Sequence, residues 1–268
     1  MQSLIDWLSI SLPVQNEYPA HRARGKVGEA MGSSGITDII PYTPDNWKLS
    51  GGRAPYSGSY RDNGIAIFFG KPQTILVEIE GQGCARLETQ LEELLRRFST
   101  RVTRIDIAAD MTCQTDPQVF CEYADAKRMR SSGVIRSDSG VTVYIGSRKS
   151  DRYCRVYRYS PPHPRSDTLR VEMVFRGVYA KTVADFVARH GITEAVTAYG
   201  DTYGFKHPEW TPEVATSGLV AAIPAIRRSQ NNTVRWLIMQ AAPAFRKCVE
   251  HGSIDDPQAF INQHFIGG

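Results

Sequence analysis

In the segment RYCRVYRYS (152–160), Tyr157 and Tyr159 lie two residues apart, and Arg155 precedes the first by two. Alternate residues of a strand share a face, so these three side chains meet if the segment is extended. A tyrosine hydroxyl, with an ordinary pKa of about 10, attacks a phosphate ester only when its phenolate is stabilised. Arg155 on the same face is suited to that. Upstream, TRIDIAAD (103–110) carries Asp106 and Asp110; downstream, LRVEMVFRG (169–177) carries Glu172 between Arg170 and Arg176. Carboxylates are hard oxygen ligands for Mg²⁺ or Mn²⁺, which polarises a phosphate for in-line attack. Arg170 or Arg176 can offset the charge that develops. Acids, tyrosines and arginines together suit phosphodiester chemistry. The same residues also suit plain cross-strand pairs, Asp106 with Arg155 or Arg170, and Tyr157 as an exposed aromatic.

Four alternating segments must position these groups: 101–110, 140–147, 152–160 and 169–177. Each has period two, with one apolar and one polar face. The apolar faces hold Ile105 and Ile107, Val141, Val143 and Ile145, Cys154 and Val156, then Leu169, Val171, Met173 and Phe175. The polar faces hold Arg104, Asp106 and Asp110, Thr142 and Tyr144, Tyr153, Arg155, Tyr157 and Tyr159, then Arg170, Glu172 and Arg176. Arg148 and Lys149 fall in the turn between the second and third segments. With Arg104, Tyr144, Arg152, Arg158 and Arg176 they are candidate DNA contacts.

Charge supports a nucleic-acid partner. The chain of 268 residues has a net charge of only +4, yet residues 126–176 hold twelve Lys/Arg against four Asp/Glu. The five cysteines form no CxxC pair and the six histidines no HxH or HxxxH pair, which disfavours a thiolate or histidine metal site. His163 and His207 remain loop candidates. Trp7, Trp47, Trp210 and Trp236 fit packing anchors. No apolar run reaches the roughly 18–20 residues of a membrane span, and no basic region precedes the short apolar start. A cytoplasmic protein without a membrane partner is expected.

The chain repeats itself. TILVEIEGQGCARLETQLEELL (74–95) parallels TLRVEMVFRGVYAKTVADFVARH (168–190), and each follows strands that a β-α-β-β-β-α unit accommodates. A hairpin turns at Asp62-Asn63-Gly64, and helices are predicted at about 84–98, 117–130 and 179–190. The fold class is α+β: an internally duplicated, largely antiparallel curved sheet with helices packed on one face and a helical C-terminal tail. The expected divisions are 1–100 as scaffold or DNA-binding half, 101–192 as catalytic half, and 193–268 as a loop-rich link and helical tail. Within the last, residues 197–214 are predicted as loop, 231–252 as a helix kinked at Pro243 or as two abutting helices, and 256–266 as a short helix.

An opening IDWLS, the TRIDIAAD strand, YIGSRKSDRYCRVY, RVEMVFRG and a late NTVRWLIMQAAP resemble the replication initiation factor family. Its members are trans-acting rolling-circle initiators of filamentous phages and small plasmids, with related relaxases of conjugative elements. The resemblance runs over most of the chain, and the tail is most similar to the filamentous-phage branch. It implies nicking of origin DNA, hairpin or single-stranded, through a phosphotyrosine intermediate, in a bacterial host with helicase and polymerase partners; a homodimer is left open. Where relatives show R-[IV]-Y-D-K, this chain has Arg155-Val156-Tyr157-Arg158-Tyr159, so either tyrosine is a candidate nucleophile. A non-catalytic origin- or promoter-binding protein on the same scaffold is the alternative.

Overall fold

The computed structural model describes residues 1–14, 23–41, 47–71, 74–124, 131–138, 140–159, 166–211 and 242–263. The chain forms two compact units, Met1–Ile223 and Pro224–Gly268. The first holds ten strands: β1 (Gln2–Pro13), β2 (Lys48–Gly51), β3 (Gly58–Asp62), β4 (Ile65–Lys71), β5 (Thr74–Glu80), β6 (Val102–Thr112), β7 (Ser132–Ser137), β8 (Gly140–Ile145), β9 (Arg152–Arg158) and β10 (Thr168–Arg176). They make one open sheet in the order β2-β3-β4-β5-β1-β6-β10-β9-β8-β7. Every neighbouring pair is antiparallel.

That order is a palindrome: mapping β1 to β5 onto β6 to β10 turns one half of the list into the other. The duplication is therefore built into one continuous sheet, with β1 and β6 at its centre. Each half carries four strands after its first helix where three are expected from the sequence. The additional strands, β2 and β7, are the exposed sheet edges, where short length and solvation weaken the alternation that betrays a strand.

Helices cover one face. They are α1 (Ala23–Ser34), α2 (Gln82–Arg86), α3 (Glu88–Phe98), α4 (Pro117–Glu122), α5 (Gly177–His190) and α6 (Ile192–Asp201). Leu91, Leu94 and Leu95 of α3 and Val183, Ala184 and Val187 of α5 are buried with Leu8, Ile10, Ile67, Val77, Ile107, Val156 and Met173 in one core. Such spacing puts the helical residues on a single stripe. The hairpin turn at Asn63 and Gly64 has positive φ at both positions, 38° and 80°, as a two-residue type I′ connection requires.

Three helical expectations shift. The one predicted over 84–98 breaks at Leu87 into α2 and α3. Helix 117–130 is helical as α4 only to Glu122, with 125–130 outside the described residues. Residues 197–201, expected as loop, belong to α6, which buries Ala195 through Gly200. Gly200 lets the Trp210 ring lie against the helix backbone: a Cβ there would stand 2.2 Å from Trp210 Cζ2. A loop-like composition here encodes close packing.

The second unit contains α7 (Ala242–Glu250) and α8 (Pro257–Ile261), with Asp256 capping α8 through the Gln258 and Ala259 amides. Pro243 sits in the first turn of α7, where a proline is tolerated. Trp236 and the rest of 212–241 lie outside the described residues. Among the described residues, no helix is long and apolar enough to cross a membrane.

Candidate active site

The face opposite the helices carries the polar residues, because directly paired residues of neighbouring strands project to the same side. Arg170 pairs with Asp110 on β6 and with Tyr157 on β9; Glu172 pairs with Ala108 and Arg155; Val174 pairs with Asp106 and Tyr153. Asp106, Asp110, Arg155, Tyr157, Arg170 and Glu172 thus converge on three adjacent central strands.

Glu172 is fully buried and holds two partners. Its Oε1 accepts from Arg155 Nη2 at 2.5 Å, and its Oε2 accepts from the Tyr157 hydroxyl at 3.1 Å. Asp106, also fully buried, accepts from Arg104 Nε at 2.9 Å and from its Nη2. It lies within hydrogen-bonding reach of Glu172. Arg170 grips Asp110 in a two-pronged pair, Nε to Oδ1 at 2.6 Å and Nη2 to Oδ2 at 2.7 Å, and gives Nη1 to Asp6 Oδ1 at 2.6 Å. Planar guanidinium geometry suits that double grip.

Asp6 escaped the site reading of the sequence. The register of β1 on β6 shifts between Ile5 and Trp7, and this irregularity at Asp6 cannot be read from alternation alone. The acid inside the otherwise apolar IDWL was the available signal.

The site holds four carboxylates, Asp6, Asp106, Asp110 and Glu172, against three guanidiniums, Arg104, Arg155 and Arg170. Burial pushes the Asp106 carboxyl up to about 7, against the pull of Arg104 and with the help of Glu172. Asp6 is raised by burial and then by Glu172, with Arg170 opposing. The Tyr157 hydroxyl is driven far above its ordinary range, first by burial and then by Glu172, with Arg170 and Arg155 opposing. In this state Tyr157 is neutral and donates its proton toward Glu172. Tyr159 is raised less, by burial, with Arg170 opposing. Its ring sits edge-on to Tyr157 at 5.7 Å, and the Arg170 guanidinium lies 5.2 Å from its centre.

The arginines are placed differently from the simplest expectation. Arg155, read as a phenolate stabiliser, is bound to Glu172, and Asp110, read as a third metal ligand, is occupied by Arg170. Arg152 and Arg158 alternate onto the helix side of β9. Arg152 lies 5.2 Å from the Tyr179 ring of α5, and Arg158 donates to Gln114 and to the Ser166 carbonyl. Neither shares the face of Tyr157. Arg176 donates to the Arg148 and Ser150 carbonyls and tethers the β8–β9 turn. In that turn Lys149 is exposed and Arg148 stacks 5.1 Å from the Tyr144 ring. Arg104 sits over Trp7 at 4.0 Å while binding Asp106. His207 packs against Phe120 and Tyr123, away from the acids, and His163 lies outside the described residues.

Among the described residues no three His, Cys, Asp or Glu side chains are grouped to hold a metal ion. Asp106 and Glu172 are nevertheless two adjacent, buried hard-oxygen donors. This is the set with which Mg²⁺ is commonly held, through one or two carboxylates completed by substrate phosphate and water. The donor chemistry fits.

The first half carries the counterpart of this site. The β4–β5 pairs Ala66–Glu78 and Phe68–Leu76 match the β9–β10 pairs Arg155–Glu172 and Tyr157–Arg170. Glu78 thus occupies the place of Glu172, and Phe68 that of Tyr157. Arg53 bonds Glu78 as Arg155 bonds Glu172. Phe68 has no hydroxyl, and it is buried beside Ala66, Leu76 and Tyr56.

No family model matches the chain, and no curated protein matches it in sequence. In structure it is similar to the rolling circle replication initiator protein from Geobacillus stearothermophilus. That alignment has 17% identity and a TM-score of 0.56, and covers 79% of this chain and 89% of the other. At this identity the likeness establishes a shared fold. A second structure, of TP0453, aligns at 10% identity with a TM-score of 0.16 over 69% of this chain and 94% of its own, which carries no argument.

Proposed function

We propose that the protein is a DNA strand transferase that nicks and rejoins one strand at a replication origin, with Tyr157 as nucleophile, and so starts rolling-circle replication of a phage or mobile element. One observation carries the reading: a half-buried tyrosine hydroxyl bonded to a buried carboxylate, beside a second carboxylate and three arginines, on the open face of an initiator-like sheet.

Tyr157 Oη attacks the scissile phosphorus and its proton passes to Glu172 Oε2, already 3.1 Å away. The bond from phosphorus to the 3′ oxygen breaks, the 3′ oxygen leaves with the electron pair and takes a proton from water to become the 3′-hydroxyl that a polymerase extends, and the 5′ end stays on Tyr157. Microscopic reversal rejoins a strand. A positioned general base contributes typically about 10²–10⁴-fold. Arg155 and Arg170, at the two ends of the Tyr157 contact, neutralise the phosphate as it displaces their present carboxylate partners. Asp106 and Glu172 would hold Mg²⁺ or Mn²⁺, which would supply polarisation of the phosphate. Tyr159 and the exposed turn at Arg148 and Lys149 hold the strand.

The competing reading, a DNA-binding protein without catalysis, draws on the fact that each of the three arginines is bound to an acid. A supercoiled origin plasmid incubated with Mn²⁺ decides between them. Nicked circles with a protein-linked 5′ end on a denaturing gel are expected; retarded but intact plasmid is the outcome that overturns the enzyme.

A further inference from the structure

Beside the candidate active site the sheet has a gap. β1 runs from Gln2, but β5 pairs with it only from Trp7 onward, ending at Glu80. Among the described residues no strand flanks Gln2–Ile5 on that side, and these residues line a cavity of about 460 Å³. Its buried lining is apolar, Ile5 with Cys84 and Leu91, and its exposed lining includes Glu88 and Glu92 of α3. Asp6, Tyr159 and Arg170 also line it, and these belong to the groups around Tyr157.

We infer that this cavity is a nucleobase pocket, which takes the base of a nucleotide flanking the scissile phosphate and thereby selects the cut site. The inference deepens the proposed function and rests on it for the identity of the strand. The volume falls in the range of small-molecule pockets, about 300–1,000 Å³, and admits one nucleoside. Its lining holds both signs of charge. Arg170 meets the phosphate end, whereas Glu88 and Glu92 repel phosphate and accept hydrogen bonds from base amino and imino groups. Guanine fits best, because its adjacent N1–H and N2–H donors match the two oxygens of one carboxylate. Thymine, with one imino donor between two carbonyls, fits worst. The Tyr159 ring offers a stacking surface in the cavity lining, since aromatic side chains hold single bases whatever their sequence. This gives the second tyrosine a positioning role.

The test uses the full chain and free deoxynucleoside 5′-monophosphates, read by calorimetric titration, with no need for cleavage. Wild type is expected to bind dGMP at least fivefold more tightly than dTMP. Ala85→Trp, which fills the cavity from an exposed position on α2, weakens dGMP tenfold or more. Glu88→Gln with Glu92→Gln, which leaves the cavity open, erases the preference for dGMP over dTMP. Failure of wild type to bind any of the four at millimolar concentration overturns the pocket, as does equal binding by Ala85→Trp with unchanged circular dichroism. If dGMP binds as expected but wild type nicks no DNA, the pocket stands and the proposed enzyme falls.

Discussion

The Tyr157 hydroxyl and Glu172 are joined across the β9–β10 boundary by a 3.1 Å bond, with the hydroxyl as donor. The same carboxylate holds Arg155 through its other oxygen. On the proposed mechanism, one acid thus receives a proton from the nucleophile and restrains a cation that the phosphate needs. Tyr157→Phe removes a single oxygen and is expected to abolish covalent adduct formation, with DNA affinity unchanged within about twofold, since affinity rests mainly on phosphate charge contacts. Tyr159→Phe keeps its ring and is expected to retain cleavage. Denaturing gels of the two variants assign the nucleophile, and a full adduct yield from Tyr157→Phe transfers the role to Tyr159.

Asp106 gives a pH signature. Its carboxyl is raised to about 7 by burial, against about 3.9 in an unfolded chain. The folded state therefore binds more protons than the unfolded one between those values, and stability falls as pH rises through about 4 to 7. Urea unfolding of wild type and Asp106→Asn should show wild type losing ground by a few kcal/mol across that window. A flat difference removes Asp106 from the account. At pH 8, Mn²⁺ is expected to raise the wild-type Tm and to leave that of Asp106→Asn unchanged.

The β8–β9 turn should contribute affinity without sequence preference. Each phosphate contact adds about 0.7–0.9 to the slope of log affinity against log salt, so replacing Arg148 and Lys149 with alanine should flatten that slope by roughly one to two. An origin hairpin and a scrambled control should lose affinity alike, because phosphate contacts position without reading bases. An unchanged slope means that the turn does not meet the backbone of DNA.

Gly200 tests the packing of α6. A Cβ at this position meets Trp210 Cζ2 at 2.2 Å, and overfilling a close-packed core costs typically about 1–3 kcal/mol. Gly200→Ala is expected to lower stability in urea by that amount despite alanine's better helix propensity. A stabilised variant contradicts the contact.

What was legible follows from period two. In the central strands each residue's face is fixed by alternation, and Asp106, Tyr157 and Glu172 do lie on one side of adjacent strands. Alternation says nothing about which acid takes which arginine. Glu172 with Arg155 and Asp110 with Arg170 depend on cross-strand register, and Asp6 depends on an irregularity in β1. Arg152 and Arg158 were readable as helix-side residues, but a count of basic residues ignores the face they occupy. The edge strands and α6 were lost because an exposed edge needs no apolar row, and because GDTYG reads as turn until Trp210 is laid against it.

The palindrome of strands makes the two halves topologically equal and chemically unequal. Phe68 and Tyr157 hold matching places in one sheet, yet only one of them has an oxygen to lose. Genetic lesions should therefore sort into two phenotypes along the gene. Changes around Phe68, Leu76 and Ala66 remove the protein from the cell, because that patch is buried packing. On the proposed mechanism, changes at Tyr157 are expected to leave normal protein levels and no nicked DNA. Such an inactive but abundant protein would occupy the origin and suppress replication driven by a co-resident wild-type copy, which makes Tyr157→Phe a dominant allele and a cavity lesion at Phe68 a recessive one.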